Sequence, residues 1–266
     1  MPFAESSGAN IYWDESGSGA PVLMIMGLGW ASAMWHRTRP LLARRYRTIA
    51  LDNRGAGRSD VPAGPYPIAL MAADAAAVLD AAGVQSAHVM GMSMGGMIAQ
   101  EFALRYPRRV RSLILGCTAS GGPEAVPAAP EVLQVLTRLD MSPEEASRAI
   151  HPFIYDAGTP RERIEEDLKL LLEWYPTVEG FMAQLQGIIA WEAYSRIAGI
   201  TASTLVIHGE SDQLVPPANG KLIAGRIPGA KLVSIPRASH IFSTDQPELA
   251  HAALLEFLAA NARPHA

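Results

Sequence analysis

The sequence predicts an α/β fold in which a mostly parallel central sheet carries helices on both faces. Three observations predict it. Short apolar runs rich in branched residues alternate with longer stretches of helical period, a serine between glycines joins one such run to a helix, and the alternation breaks once, for a long helical stretch, before strands resume. At 266 residues the chain is long enough to bury a large core, and it reads as one α/β domain with an insertion.

In chain order, strands are expected at 11–15, 21–26, 46–52, 87–92, 110–117, 203–208 and 231–235. Helices are expected at 68–82, 94–106, 218–226 and 247–260, from apolar spacing and flanking Gly and Pro. Alternating strands with helices makes crossover connections unavoidable. From about 123 to 197 no strand is convincing, and only helix-like segments follow one another, at 131–139, 142–154, 161–174 and 178–196. Ser142-Pro143-Glu144-Glu145 is a good helix opening, with a hydroxyl N-cap, Pro at the first helical position and Glu at the third. This stretch, 123–197, is read as a helical lid over the strand ends, inserted into a core domain formed by 1–122 and 198–266. Its aromatics, Phe153, Tyr155, Trp174, Tyr175, Phe181 and Trp191, are either core or the lining of an apolar pocket. No repeat emerges, and the Pro/Ala stretch 122–130 is the one biased tract.

Composition narrows the function classes. With 49% hydrophobic and 18% charged residues and a net charge of -4, there is no basic surplus for nucleic acid, so the expected partner is a small molecule. No apolar run is long enough to span a bilayer, and the opening Met1-Pro2-Phe3-Ala4-Glu5 lacks the features of a secretory signal. The single Cys117 cannot form an internal disulfide, which leaves cytoplasmic residence as the expectation.

The chemistry starts at Gly91-Met92-Ser93-Met94-Gly95, a G-x-S-x-G sequence between a buried strand and a helix. A sharp strand-to-helix turn strains the central residue, and glycines at 91, 95 and 96 remove Cβ atoms that would clash. Ser93 then projects at the carboxyl end of the sheet, where open α/β sheets bind ligands. A serine hydroxyl needs a base. Among the seven histidines, His240 follows the last strand and precedes the final helix, so it shares that end of the sheet. His208 and His88 fall in strands, and His36, His151, His251 and His265 read as helix, lid or tail residues. The imidazole needs a carboxylate to hold its tautomer; Asp212, in the loop after a strand, is the candidate, with Glu210 its rival. The order Ser93, Asp212, His240 is the one used by this strand-turn-helix arrangement. Two backbone donors are expected for the oxyanion. Met94 N–H opens the following helix, and Leu28 N–H lies in the turn Gly27-Leu28-Gly29-Trp30. Trp30, Tyr155, Trp174, Trp191 and Ile241 are the expected substrate contacts.

These stretches, together with the turn Asp52-Asn53-Arg54-Gly55-Ala56-Gly57-Arg58-Ser59, resemble the α/β-hydrolase superfamily over nearly the whole chain, most of all its small lidded esterases, lactonases and enol-lactone hydrolases. The resemblance implies a serine hydrolase that cleaves carboxylic esters or lactones through an acyl-enzyme. No metal or organic cofactor is expected, since no Cys/His cluster has zinc spacing and the elbow glycines form no dinucleotide fingerprint. A homodimer is among the assemblies this leaves open. One departure is visible: many members carry His before the oxyanion-loop glycine, where this chain has Met26. Trp30 and Trp35 are expected to supply some of the missing packing. Four alternatives share parts of this pattern. Ser93 argues against a haloalkane dehalogenase, which needs a carboxylate nucleophile. A carbon–carbon bond hydrolase and a cofactor-free haloperoxidase or perhydrolase keep the same site, and a non-catalytic ligand receptor keeps the fold while showing negligible turnover.

Overall fold

A computed structural model describes residues 2–262, so His265 lies outside the described residues. The chain opens with the hairpin β1 (Phe3–Ser6) and β2 (Ala9–Ser16), then β3 (Ala20–Ile25), the short helix α1 (Arg39–Leu42), β4 (Tyr46–Leu51), α2 (Ile68–Ala81), β5 (Ala87–Met92), α3 (Met94–Arg105) and β6 (Val110–Gly116). Four helices follow with no strand among them: α4 (Pro130–Leu136), α5 (Pro143–Ile154), α6 (Arg161–Glu173) and α7 (Val178–Ile189). Alternation resumes with β7 (Thr204–Gly209), α8 (Ala218–Arg226), β8 (Lys231–Ile235), α9 (Phe242–Asp245) and α10 (Pro247–Ala260).

The strands form one eight-stranded sheet in the order β1-β2-β4-β3-β5-β6-β7-β8. From β4 through β8 every neighbouring pair is parallel, while β2 runs antiparallel to both β1 and β4. Because side chains alternate across a strand, β3 sends Leu23 and Ile25 into one apolar core and Val22 and Met24 into another. The first core holds α2 and α3, through residues such as Leu79 and Phe102; the second holds α10, through Leu254 and Phe257. Both faces are covered, which explains why β5 and β7 are buried along their whole length and read as continuous apolar runs.

Several elements differ from expectation for physical reasons. The strand β1 carries no apolar signal in the sequence, because its buried face is only Ala4 and Ser6. The helices α1 and α9, four residues each, are too short for a helical period to show. The helix expected to run to 196 stops at Ile189. There the chain turns in to pair with the exit of β6, with a bridge between Gly121 and Glu192 and a bond from Ala193 N–H to Ser120 O at 2.9 Å. At α5 the capping box is present, Ser142 Oγ accepting from Glu145 N–H and Glu145 Oε2 accepting from Ser142 N–H. No helix among the described residues is long and apolar enough to cross a membrane.

Candidate active site

Between β5 and α3 stands a single residue, Ser93, with φ 57° and ψ −122°. Such a backbone costs about 1–3 kcal/mol for a residue with a side chain and persists only where neighbours impose it. Here they do: Ser93 N–H donates to Gly116 O at 2.8 Å, and Thr118 Oγ1 donates to Ser93 O at 2.7 Å. A Cβ on Gly91 would overlap the Gly95 carbonyl, and one on Gly95 would overlap the Ile25 carbonyl. The glycines therefore let β5, α3 and β3 crowd together behind the serine.

The loop after β8 carries His240, and the loop after β7 carries Asp212. His240 Nδ1 lies 2.9 Å from Asp212 Oδ2, although 28 residues separate them. The carboxylate can only accept, so the Nδ1 proton points at it and the far ring nitrogen is left to face elsewhere. The other oxygen, Oδ1, accepts from Leu214 N–H at 2.9 Å and Val215 N–H at 2.8 Å. A second imidazole joins the group: His208 Nε2 is 2.8 Å from Val215 O and 3.3 Å from Asp212 Oδ2. Burial opposes charge on Asp212, yet the fields and hydrogen bonds of His240 and His208 outweigh it and hold the carboxyl well below the usual range. Glu210, the rival acid, is exposed. Of the other histidines, His88 Nδ1 meets Ser112 Oγ at 2.8 Å, His36 lies beside Asp167, and His251 lies near Thr38. His151 lines the cavity described below, from α5.

The turn after β3 closes with Trp30 N–H donating to Gly27 O at 3.3 Å, and Gly29 takes φ +71°. Gly27 packs on the serine, where an added Cβ would lie 3.1 Å from Ser93 Cβ. Leu28 and Met94 line the same cavity as Ser93. Polar anchors hold this turn, beside the apolar cluster that Met26 shares with Trp35 and Trp30. Asn53 Nδ2 donates to Met26 O at 2.8 Å, and Gln184 Oε1 accepts from Gly29 N–H at 2.7 Å. Just beyond, Asp52 Oδ1 accepts from Ser32 N–H at 2.6 Å and Arg58 Nε donates to Asp52 Oδ2 at 2.8 Å. Trp35 lies on the apolar side of the same segment, in the core cluster that includes Met26. Gln184, Asn53 and His208 are site residues that sequence reasoning missed, since Gln184 is 155 residues from the glycine it contacts.

A cavity of about 610 Å³ joins these parts, bounded by Ser93 and His240 on the sheet side and by α4–α7 on the other. Of the expected substrate contacts, Trp30, Tyr155, Trp191 and Ile241 line it. Trp174 does not line it; as the residue that ends α6 it turns away and lies under the Arg58 guanidinium, 4.6 Å from the ring centroid. Two lining aromatics are fixed by their polar ends: Tyr155 OH donates to buried Asp167 at 3.0 Å and Trp191 Nε1 donates to buried Glu101 at 3.0 Å. Among the described residues one trio of metal-type ligands is close together, Cys117, Asp212 and His240. It makes a poor metal cradle. Burial and the nearby Asp212 charge push the Cys117 thiol up, and the His240 nitrogen facing Asp212 is already hydrogen-bonded.

Known proteins share this fold. The model of the alpha/beta hydrolase fold family matches residues 20–247. A protein of Azorhizobium caulinodans named as a carbamate hydrolase, RutD, is 34% identical over 262 residues, covering 97% of this chain and 98% of its own. The structure of an N-acyl homoserine lactone degrading enzyme superposes with a TM-score of 0.82 at 29% identity, over 96% of this chain and 100% of its own. A thermophilic esterase from Thermogutta terrifontis gives a TM-score of 0.86 at 27% identity, over 98% and 99%. With the family's sequence pattern spanning most of the chain and the sheet, elbow and paired His240 and Asp212 in place, the chain is a hydrolase of the alpha/beta hydrolase fold family.

Proposed function

We propose that the chain hydrolyses carboxylic esters or lactones with uncharged, apolar acyl groups through a covalent acyl-enzyme on Ser93. The observation that carries this is the strained Ser93 sharing one cavity with an imidazole whose Nδ1 is held by a buried carboxylate. In the first step His240 takes the Ser93 proton as Oγ attacks the carbonyl carbon, and Leu28 N–H and Met94 N–H receive the developing oxyanion. The proton then passes to the departing alkoxide, and water repeats the cycle on the acyl-enzyme, while Asp212 stabilises the imidazolium. For a lactone the leaving alkoxide stays attached to the acyl group. The apolar preference follows from the walls, where Leu171, Leu185, Ile188, Ile241 and Met97 face the same space as the serine. In this reading α4–α7, within 123–197, act as a lid on a core of 1–122 and 198–266.

A second reading, hydrolysis of a carbamate at the same serine, is favoured by the 34% identical relative named for that reaction. The carbonyl chemistry is shared, and only the leaving group differs. The test is an activity panel of p-nitrophenyl esters of graded acyl length, acyl lactones and small carbamates, run beside Ser93→Ala. Turnover of apolar esters or lactones, lowered by at least about a thousandfold in Ser93→Ala, is the expected result. Retention of turnover in Ser93→Ala, or a preference for charged diacids, would overturn the reading, and turnover of carbamates alone would replace it with the second.

A further inference from the structure

The side chain of Gln184 links the helical wall of the cavity to the turn that carries Leu28. Its Oε1 accepts from Gly29 N–H at 2.7 Å, and its Nε2 donates to Arg54 O at 2.7 Å, so both ends of a fully buried amide are used. On the far flank of the same turn, Asn53 Nδ2 holds Met26 O at 2.8 Å. Because Asn53 and Arg54 are neighbours, the two clamps form one bracket around residues 26–29. Leu28 N–H belongs to the peptide just before the one Gln184 grips, with Gly27 packed on Ser93 beneath it.

The placement of Gln184 follows from how α7 seats on the core. Gly180 lies against Gly55 so closely that a Cβ on either would strike the other's backbone, and Tyr66 N–H donates to Ala183 O at 3.0 Å. The helix opens on Thr177, whose Oγ1 accepts from Gly180 N–H at 3.1 Å. One turn past that contact, the inward face presents Gln184 to the turn, while Phe181, Leu185 and Ile188 line the cavity.

We propose that Gln184 is a positioning residue that sets the Leu28 N–H for the oxyanion, supplying from the helical insertion the side-chain support that Met26 cannot give; this rests on the acyl-enzyme reading above. It touches no reacting atom. It acts by holding the Leu28–Gly29 peptide, and a donor displaced by a fraction of an ångström loses transition-state stabilisation while substrate binding is kept.

The test uses Gln184→Met, which keeps length and volume but removes both polar partners, Gln184→Asn, whose amide falls one methylene short, and Gln184→Glu, which keeps an acceptor for Gly29 N–H. In each folded variant the measurements are kcat, KM and affinity for a boronic acid that forms a tetrahedral adduct with Ser93. The expected result for Gln184→Met and Gln184→Asn is a fall in kcat of about 10- to 100-fold with KM within about threefold, matched by a similar loss of boronic acid affinity. Gln184→Glu is expected to recover most of that loss. Either folded variant decides: kcat within about threefold of wild type, or a KM that rises as much as kcat falls, would overturn the proposal. If Ser93→Ala retains turnover, the acyl-enzyme reading fails; if turnover depends on Ser93 but ignores Gln184, only this proposal fails.

Discussion

Asp212 spends both oxygens: two backbone donors on Oδ1, two imidazoles on Oδ2. The backbone pair fixes the orientation of the carboxylate, so the Oδ2 lone pairs have one direction in which to meet His240. In Asp212→Asn the amide can turn its NH2 toward His240, reverse the hydrogen bond and stabilise the wrong tautomer. We predict a fall in kcat of about 10,000-fold near neutral pH with the fold retained, measured by steady-state kinetics beside circular dichroism. Activity within tenfold of wild type would remove Asp212 from the proposed triad. The missed histidine, His208, shows a limit of local reading. It sits inside the buried β7 run like any core residue, and only the curl of the following loop brings its Nε2 to Val215 O and the carboxylate.

Among elements, the helix α6 meets the rest of the molecule at one buried acid as well as at more exposed polar contacts. Asp167 accepts from Thr244 Oγ1 on α9 at 2.6 Å, from Tyr155 OH after α5 at 3.0 Å, and from Arg37 Nε at 3.3 Å. Burial raises the cost of its charge, but His36, Thr244 and Arg37 outweigh that and hold the carboxyl below its ordinary value. Removing the acid strands these donors together. We therefore predict that Asp167→Leu costs about 3 to 5 kcal/mol of stability, read from the urea midpoint of unfolding, and that Tyr155 loses its fixed place in the cavity wall. A midpoint equal to that of wild type would show that Asp167 adds nothing to the hold on α6. The sequence shows α6 as a helix by its spacing, yet nothing in that spacing marks Asp167 as buried rather than as one of the solvated acids beside it, Glu165 and Glu166.

Across the whole molecule, the two acids near the histidine loop pull stability in opposite directions with pH. Asp212 is depressed, so its contribution is present above the ordinary carboxylate range and is lost as pH falls through the folded value. Asp245 is the reverse case. Burial first, and then the charge of Asp156, raise it from 3.8 to about 6, against the hydrogen bonds from Thr159 and Ser239 N–H. Between about pH 4 and pH 6 the folded state keeps a proton on Asp245 that the unfolded chain has released, so this group lowers stability as pH rises through that window and leaves it lowered above. Asp245→Asn removes the titration. We predict that the stability of wild type minus that of the variant falls by about 2 kcal/mol from pH 4 to pH 7, measured by denaturant melts across that range, where the other groups cancel. A pH-independent difference would contradict the raised value.

The sequence by itself determined the alternation of strands and helices, the helical interruption between β6 and β7, the elbow at Ser93 and the positions of His240 and Asp212. Each is a local signal: a run of branched apolar residues, a capping box, glycines around a serine, a polar residue just past a strand end. Tertiary structure alone decided which side chains complete the site. Trp174 and Trp191 read alike along the chain, and only Trp191 lines the cavity, because Trp174 ends its helix facing Arg58. Gln184 and His208 carry no local mark, and Asn53 stands in a recognisable turn that does not name its partner, since the partners come from other elements and depend on how closely α7 and the loops approach the sheet. A polar side chain announces what it can bond; which partner it meets is set by packing, and packing is a property of the folded chain.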